Sequence, residues 1–241
     1  MSQPDSQSQP KPLVIAIDGP SGSGKSSVSR AAAAQMGYRY LDTGAMYRAA
    51  TWWMVDAGID PADTDAVASR IEEVSIENGT DPAGPTISVG GVDVAGPIRT
   101  DEITSAVSAV SAVPAVRTGM LDRQREEVDV ALAAGVGIIV EGRDIGTVVL
   151  PDADLKVFLT ADQQARAARR TAQDTDEGRT SKDESETAAA LAARDEADST
   201  RQASPLAQAD DAVLVDATFM TFDEVVAAVL ELIADKQKAR L

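Results

Sequence analysis

The feature that most constrains this chain is an eight-residue string near its start. Gly19-Pro20-Ser21-Gly22-Ser23-Gly24-Lys25-Ser26 fits the pattern G-x-x-x-x-G-K-[ST]. It follows Leu13 to Asp18, a short apolar run rich in branched residues that reads as a buried strand. It opens Lys25 to Met36, which has helical character and stops at Gly37. Strand, glycine loop and helix in that order predict a phosphate-binding loop. The glycines let successive backbone N–H groups turn inward onto phosphate oxygens, and the helix adds its positive N-terminal end. Gly19, Pro20, Ser21, Gly22, Ser23, Gly24, Lys25, Ser26 and Ser27 are therefore the expected nucleotide contacts. Lys25 is expected to reach the β- and γ-phosphates, and the Ser26 hydroxyl to ligate Mg²⁺. A glycine turn that binds nothing is the bland alternative.

The rest of the chain alternates in the same way. Tyr38–Leu41, Gly137–Val140, Leu155–Leu159 and Ala212–Val215 read as further strands, mostly separated by helical segments. The expected fold class is α/β, a five-stranded parallel sheet with helices on both faces. Ligands in such sheets bind beyond the carboxyl ends of the strands. Between about residues 71 and 99 the pattern changes to short β-branched runs separated by Gly, Pro and Asn turns, with Gly90-Gly91 as a hairpin turn. A small inserted antiparallel sheet is expected there. Asp81-Pro82-Ala83-Gly84 in this insert reads as a turn. Two capping boxes are expected, at Thr160-Ala161-Asp162-Gln163 and Ser181-Lys182-Asp183-Glu184, and Thr221 is expected to cap a last helix.

Composition narrows the chemistry. The chain has 241 residues, 44% hydrophobic and 3% aromatic, so its core rests on aliphatic side chains. A net charge of -17 argues against a nucleic-acid-binding surface, so any anionic ligand needs a local arginine cluster. There is no Cys and no His, which excludes disulfides, Cys/His zinc sites and Ser-His or Cys-His nucleophile pairs. Phosphoryl transfer needs none of these. No apolar run is long enough for a membrane span, and residues 1–11 lack the apolar stretch of a signal peptide. The expectation is a cytoplasmic protein with a disordered tail over 1–11, a single kinase-like domain over 12–241, and a monomeric state.

No Asn-Lys-x-Asp guanine reader is present, and the chain is short for a motor ATPase, which leaves a small-molecule kinase. A phosphorylated acceptor needs arginines aimed at it. Arg48, Arg117, Arg143, Arg194 and Arg201 lie where strands and helices bring them to the active face. Taken singly, each reads as a solvated surface arginine.

Five strings carry a family resemblance. They are Asp18 to Ser26, Leu41-Asp42-Thr43-Gly44-Ala45-Met46-Tyr47-Arg48, Ile98-Arg99-Thr100, Gly142-Arg143-Asp144-Ile145-Gly146-Thr147-Val148-Val149 and Ala207 to Ala212. Together they resemble the bacterial cytidylate kinases, a family of P-loop nucleoside monophosphate kinases, over about residues 13–232. The resemblance implies ATP and CMP or dCMP as substrates, with Mg²⁺. It implies that Arg48, Arg143 and Arg201 hold the acceptor phosphate. Ser108, Arg117 and Asp144 would read the cytosine ring, and Arg194 and Asp198 would lie near the sugar. Thr43 stands where many relatives carry Ser and is expected to keep its contact near the acceptor. The insert over 71–99 would be the acceptor-side unit.

The chemistry of cytosine agrees. Its amino group suits a carboxylate, and its ring acceptors suit Arg or Ser; uracil would face Asp144 acceptor to acceptor. Arg166, Arg169 and Arg170 share one helix face by their i, i+3, i+4 spacing and precede a polar loop containing Gly178 and Arg179. A lid over about 166–182 is expected, with Arg170 acting on the transferred phosphate; a solvent-facing charged helix is the competing reading. Glu141 is expected near Mg²⁺ or in a purely structural role. The alternatives to a CMP kinase are a kinase for another small acceptor, such as UMP, and a non-catalytic nucleotide-binding module.

Overall fold

The structure is a computed structural model that describes residues 12–176 and 183–240. The expected tail and the end of the expected lid, including Gly178, Arg179 and Ser181, lie outside them.

Eight strands and eight α-helices are described, in chain order: β1 Val14–Asp18, α1 Lys25–Met36, β2 Arg39–Asp42, α2 Thr43–Asp56, α3 Thr64–Arg70, β3 Ile76–Gly79, β4 Thr86–Val89, β5 Val92–Asp93, α4 Asp101–Ala112, α5 Pro114–Ala133, β6 Ile138–Gly142, β7 Leu155–Thr160, α6 Gln163–Asp176, α7 Glu184–Thr200, β8 Val213–Asp216 and α8 Phe222–Lys238. The main sheet has the order β2-β6-β1-β7-β8, and every pairing is parallel. β3-β4-β5 form a separate antiparallel sheet. Both sheets are as the sequence predicts.

Period-2 alternation divides the sheet's side chains between two cores. Ile15 and Ile17 of β1, with Ile139 of β6, pack against Val28 and Ala32 of α1 and Val229 and Ile233 of α8. Ala16 of β1, with Ile138 and Val140 of β6, packs on the other face against Met46 and Ala49 of α2 and Met120 of α5. Ile87 and Val89 of the small sheet belong to this second core, so the insert is fastened to α2 by burial. Gly90 and Gly91 both have positive φ, 56° and 79°, which the tight turn between β4 and β5 demands. Asp81 closes the turn between β3 and β4 by accepting from the Ala83 N–H at 2.8 Å.

Two expected caps move. Thr160 is the last residue of β7, and the side chain that caps α6 is Asp162, accepting from the Ala165 N–H at 2.6 Å. α7 is capped by Asp183, which accepts from the Glu186 N–H at 2.8 Å. In both cases the carboxylate, not the hydroxyl two residues earlier, is the cap. Thr221 caps α8 with a full capping box to Glu224. Among the described residues no helix is long and apolar enough to cross a membrane.

Candidate active site

At the carboxyl ends of β1, β2 and β6 the chain leaves a cleft of about 510 Å³. The turn after β1 makes one wall. Gly19, with φ 154°, passes so close to β7 that a Cβ there would stand 2.0 Å from the Leu159 carbonyl oxygen. Only glycine lets the loop start this near the sheet. Gly24 ends the loop and caps α1 with no side-chain hydrogen bond, so the first N–H groups of α1 are left for a ligand. Lys25 Nζ curls back to donate to the Pro20 carbonyl at 3.1 Å.

The site residues expected from sequence meet here. Gly22, Lys25, Ser26 and Ser27 line the cleft, with Thr43, Arg48, Ser108, Arg117, Arg143, Asp144, Arg170, Arg194, Asp198 and Arg201. Ser21 and Gly24 line it as well, whereas Gly19, Pro20 and Ser23 shape the loop without lining it. Arg143 directly follows β6, which runs two residues further than its apolar stretch. It donates to Asp198 Oδ2 at 3.0 Å and to the Gly19 carbonyl at 2.9 Å, tying the phosphate loop to α7. Arg48 of α2 donates to the Ile98 carbonyl at 3.2 Å and to Thr104 Oγ1 at 2.8 Å. The buried Nε of Arg194 has no partner among the described residues.

These cations strain one another. Burial and the charge of Arg194 push Arg48 down to about 9, and burial and Arg143 push Arg194 down to about 10. Burial and Arg143 push the Lys25 ammonium down to about 7. A cleft in which arginines depress one another, within a chain of net charge -17, is built to receive several negative charges.

At the far end Asp144 is buried and forms an ion pair with Arg117, with Arg201 Nη2 at 3.9 Å from its other oxygen. Arg117 also donates to the Ser111 carbonyl at 3.2 Å, and its guanidinium lies 5.4 Å from the Tyr47 ring centroid. Arg201 donates to the Ser204 carbonyl at 2.6 Å. Thr43 spends its single hydroxyl hydrogen on the Glu141 carbonyl at 2.7 Å, so toward a ligand that oxygen acts only as an acceptor.

The three helix-face arginines separate. Arg170 lines the cleft and pairs with Asp174 at 3.1 Å. Arg166 instead holds the outside of the phosphate loop: it donates to the Ser21 carbonyl at 2.9 Å and pairs with Asp195, which accepts from the Ser21 N–H at 3.1 Å. Arg169 caps the Met220 carbonyl at 3.3 Å. Their common spacing does not give them a common target: Arg166 turns to the phosphate loop, Arg169 to the segment before α8, and Arg170 to the cleft.

The sequence reading assigned no role to Asp18, Tyr40, Tyr47 or Asp195. Asp195 adjoins Arg194 and Asp18 adjoins Gly19, so chain proximity was the available signal. Tyr40 donates to Glu141 Oε1 at 2.6 Å, and Glu141 Oε2 is buried without a hydrogen-bond partner among the described residues. Burial raises the Glu141 carboxyl, and Asp42 raises it further, against the pull of Lys25.

A family model for cytidylate kinase matches residues 15–235. The chain belongs to the cytidylate kinase family. A cytidylate kinase of Streptomyces coelicolor is 57% identical over 228 residues, covering 95% of each chain. One of Streptomyces avermitilis is 55% identical over 228 residues, again covering 95% of each. Among solved structures, a gluconokinase from Sinorhizobium meliloti aligns with a TM-score of 0.50 at 17% identity, covering 96% of this chain and 97% of that one. At that identity the likeness concerns the fold alone. Within the cytidylate kinase family, then, this chain presents one continuous cleft running from the phosphate loop to the Arg117–Asp144 pair.

Proposed function

We propose that this cleft transfers the γ-phosphoryl group of ATP to the phosphate of CMP or dCMP, giving ADP and CDP or dCDP. The observation that carries the reading is the single cleft with an under-neutralised cationic middle and an ion-paired Asp at one end. The family supports the same activity.

The phosphate loop and the uncapped start of α1 hold the donor's phosphates, with Lys25 against the β- and γ-oxygens. The acceptor's phosphate lies against Arg48, Arg143 and Arg201. An oxygen of that phosphate attacks the γ-phosphorus while the bond from the γ-phosphorus to the β,γ-bridging oxygen breaks, and ADP leaves. The second pKa of a phosphomonoester is about 6, so the nucleophile is already deprotonated at pH 7 and no general base is needed. Lys25, Arg143 and Arg170 offset charge on the moving group, and Arg194 adds a further cation beside Arg143. Ser108, Arg117 and Asp144 read the base, and Asp198 lies near the sugar. The insert over 71–99 is the acceptor-side unit, and α6, the described part of the expected lid, brings Arg170 to the cleft.

Mg²⁺ fits the oxygen donors present. The Ser26 hydroxyl is exposed at the loop's exit, and the orphaned Glu141 Oε2 is a hard anionic ligand beside it in the cleft lining. When bound, the ion neutralises β- and γ-phosphate oxygens. The enzyme is proposed to act as a cytoplasmic monomer on small molecules.

The test is ADP release from Mg-ATP with CMP, dCMP, UMP, AMP or no acceptor. Strong stimulation by CMP and dCMP with weak activity on UMP is expected. Release that ignores every monophosphate would reduce the protein to a nucleotide-binding module.

A further inference from the structure

Asp18 is the last residue of β1 and stands immediately before the phosphate loop. Its side chain is buried, 5% exposed, and does not line the cleft. Nothing in the phosphoryl-transfer reading uses it. Its two oxygens nevertheless accept from consecutive backbone amides: Oδ1 from the Ile145 N–H at 2.8 Å, and Oδ2 from the Gly146 N–H at 2.7 Å.

Those two amides open the turn that follows Arg143 and Asp144. The turn, Ile145–Val149, is a single π-type turn, closed by the Val149 N–H on the Asp144 carbonyl at 3.1 Å and the Leu150 N–H on the Ile145 carbonyl at 2.7 Å. A lone turn of this kind makes few bonds of its own, so an outside anchor matters to where its first residues lie. β1 and β6 run in parallel with Asp18 opposite Gly142, which puts the carboxylate beside the exit of β6. Gly146 lies beside this anchor: a Cβ there would press on Lys156 Cδ at 3.1 Å and meet Asp18 Oδ2 at an ordinary contact distance of 3.4 Å. One side chain therefore joins the root of the phosphate loop to the backbone that carries Asp144.

We propose that Asp18 is a positioning residue for acceptor recognition: it fixes the backbone of the Arg143–Asp144 segment, and through it selects CMP over UMP. The inference rests on the reading that Asp144 contacts the base. Arg117 and Arg201 bond the Asp144 side chain, whereas Asp18 bonds the backbone that carries it.

Asp18→Asn is nearly isosteric but sets an amide NH₂ against one of the two backbone N–H groups, so one anchor bond is lost. The expected result is a fall in kcat/KM for CMP on the order of tenfold, carried mainly by KM for CMP, with KM for ATP within about twofold. The CMP:UMP preference falls with it. A residue that only supported the fold would lower the melting temperature and the active fraction, scaling kcat for both acceptors alike and leaving KM and the preference unchanged. Gly146→Ala, which sets a methyl against Lys156 beside the anchored amide, should move KM for CMP in the same direction and gives a second variant should Asp18→Asn fold poorly. Asp144→Asn separates the two claims. If it abolishes the preference, and Asp18→Asn in the otherwise unaltered protein lowers both the preference and kcat/KM for CMP as expected, the positioning role stands. If Asp144→Asn abolishes the preference but Asp18→Asn and Gly146→Ala leave it intact, the inference about Asp18 is wrong while the base-reading role survives. If Asp144→Asn keeps the preference, base reading by Asp144 falls, and the inference with it.

Discussion

A lysine held at a pKa of about 7 in the unliganded cleft has a consequence for binding. Burial and Arg143 lower it from an ordinary value of 10.5, against the pull of Glu141 and Asp42. At pH 8 much of Lys25 is neutral, and the arrival of donor phosphates restores the ammonium. ATP binding at pH 8 should therefore take up close to one proton; calorimetry in buffers of different ionisation enthalpy measures this directly. Binding heats independent of the buffer at pH 8 would contradict it. Between about pH 7 and 10.5 the unfolded chain holds the Lys25 proton and the folded chain does not, so this group makes the unliganded protein more stable as pH rises through that window. The cationic residues were legible in the sequence because phosphate chemistry demands arginines and the motifs place them. Arg166 was singled out but its target was not, and Asp195 was missed, because both act on backbone groups of Ser21, and no side-chain pattern records a backbone partner.

At the level of elements, the five parallel strands were legible from short β-branched runs, and their period-2 division between two cores follows from the pleat. What hydropathy missed was the carboxyl ends of the other four, β1 having been read correctly to Asp18. β6 continues through Glu141 and Gly142, past the apolar residues, because those positions pair with Ile17 and Asp18 of β1 and with Asp42 of β2. The site begins where the strand stops being apolar but has not stopped being a strand. The π-type turn after Asp144 carried no signal of its own. Helix starts divide by chemistry: Thr221 caps α8 because Glu224 completes the box, with the Thr221 N–H donating to Glu224 Oε2 at 2.7 Å. Thr160 lacks this, because Asp162 stands closer to the helix and accepts more strongly. Thr221→Ala should cost about 1 kcal/mol of stability, or roughly 2–4 °C in melting temperature for a chain of this size. No residue of α8 lines the cleft, so turnover at 25 °C should be unchanged. Loss of activity without loss of stability would mean that α8 reports to the site.

For the molecule as a whole, the sheet separates two cores and the cleft spans their common edge. The donor loop is rooted in the face that packs α1 and α8, while α2 and α5, which carry Arg48 and Arg117, are packed on the other. The net charge of -17 does not extend into the cleft, where Arg48, Arg143, Arg194 and Lys25 gather within reach of one another's fields. The folded, empty protein thus keeps unfavourable repulsion that anionic ligands relieve. A sensor with one nucleotide site would be stabilised by one ligand only. An enzyme with a donor and an acceptor site should be stabilised by each, and by both together at least additively. A ligand at about 100 times its Kd adds roughly 2.7 kcal/mol, which for a chain of this length is about 5–10 °C. Melting curves with CMP alone, with the non-transferable donor β,γ-imido-ATP alone, and with both should show two separate increments whose sum is met or exceeded. If CMP adds nothing once the donor site is filled, the two ends of the cleft compete for one nucleotide. The arginines between them would then serve a single polyphosphate and not an acceptor.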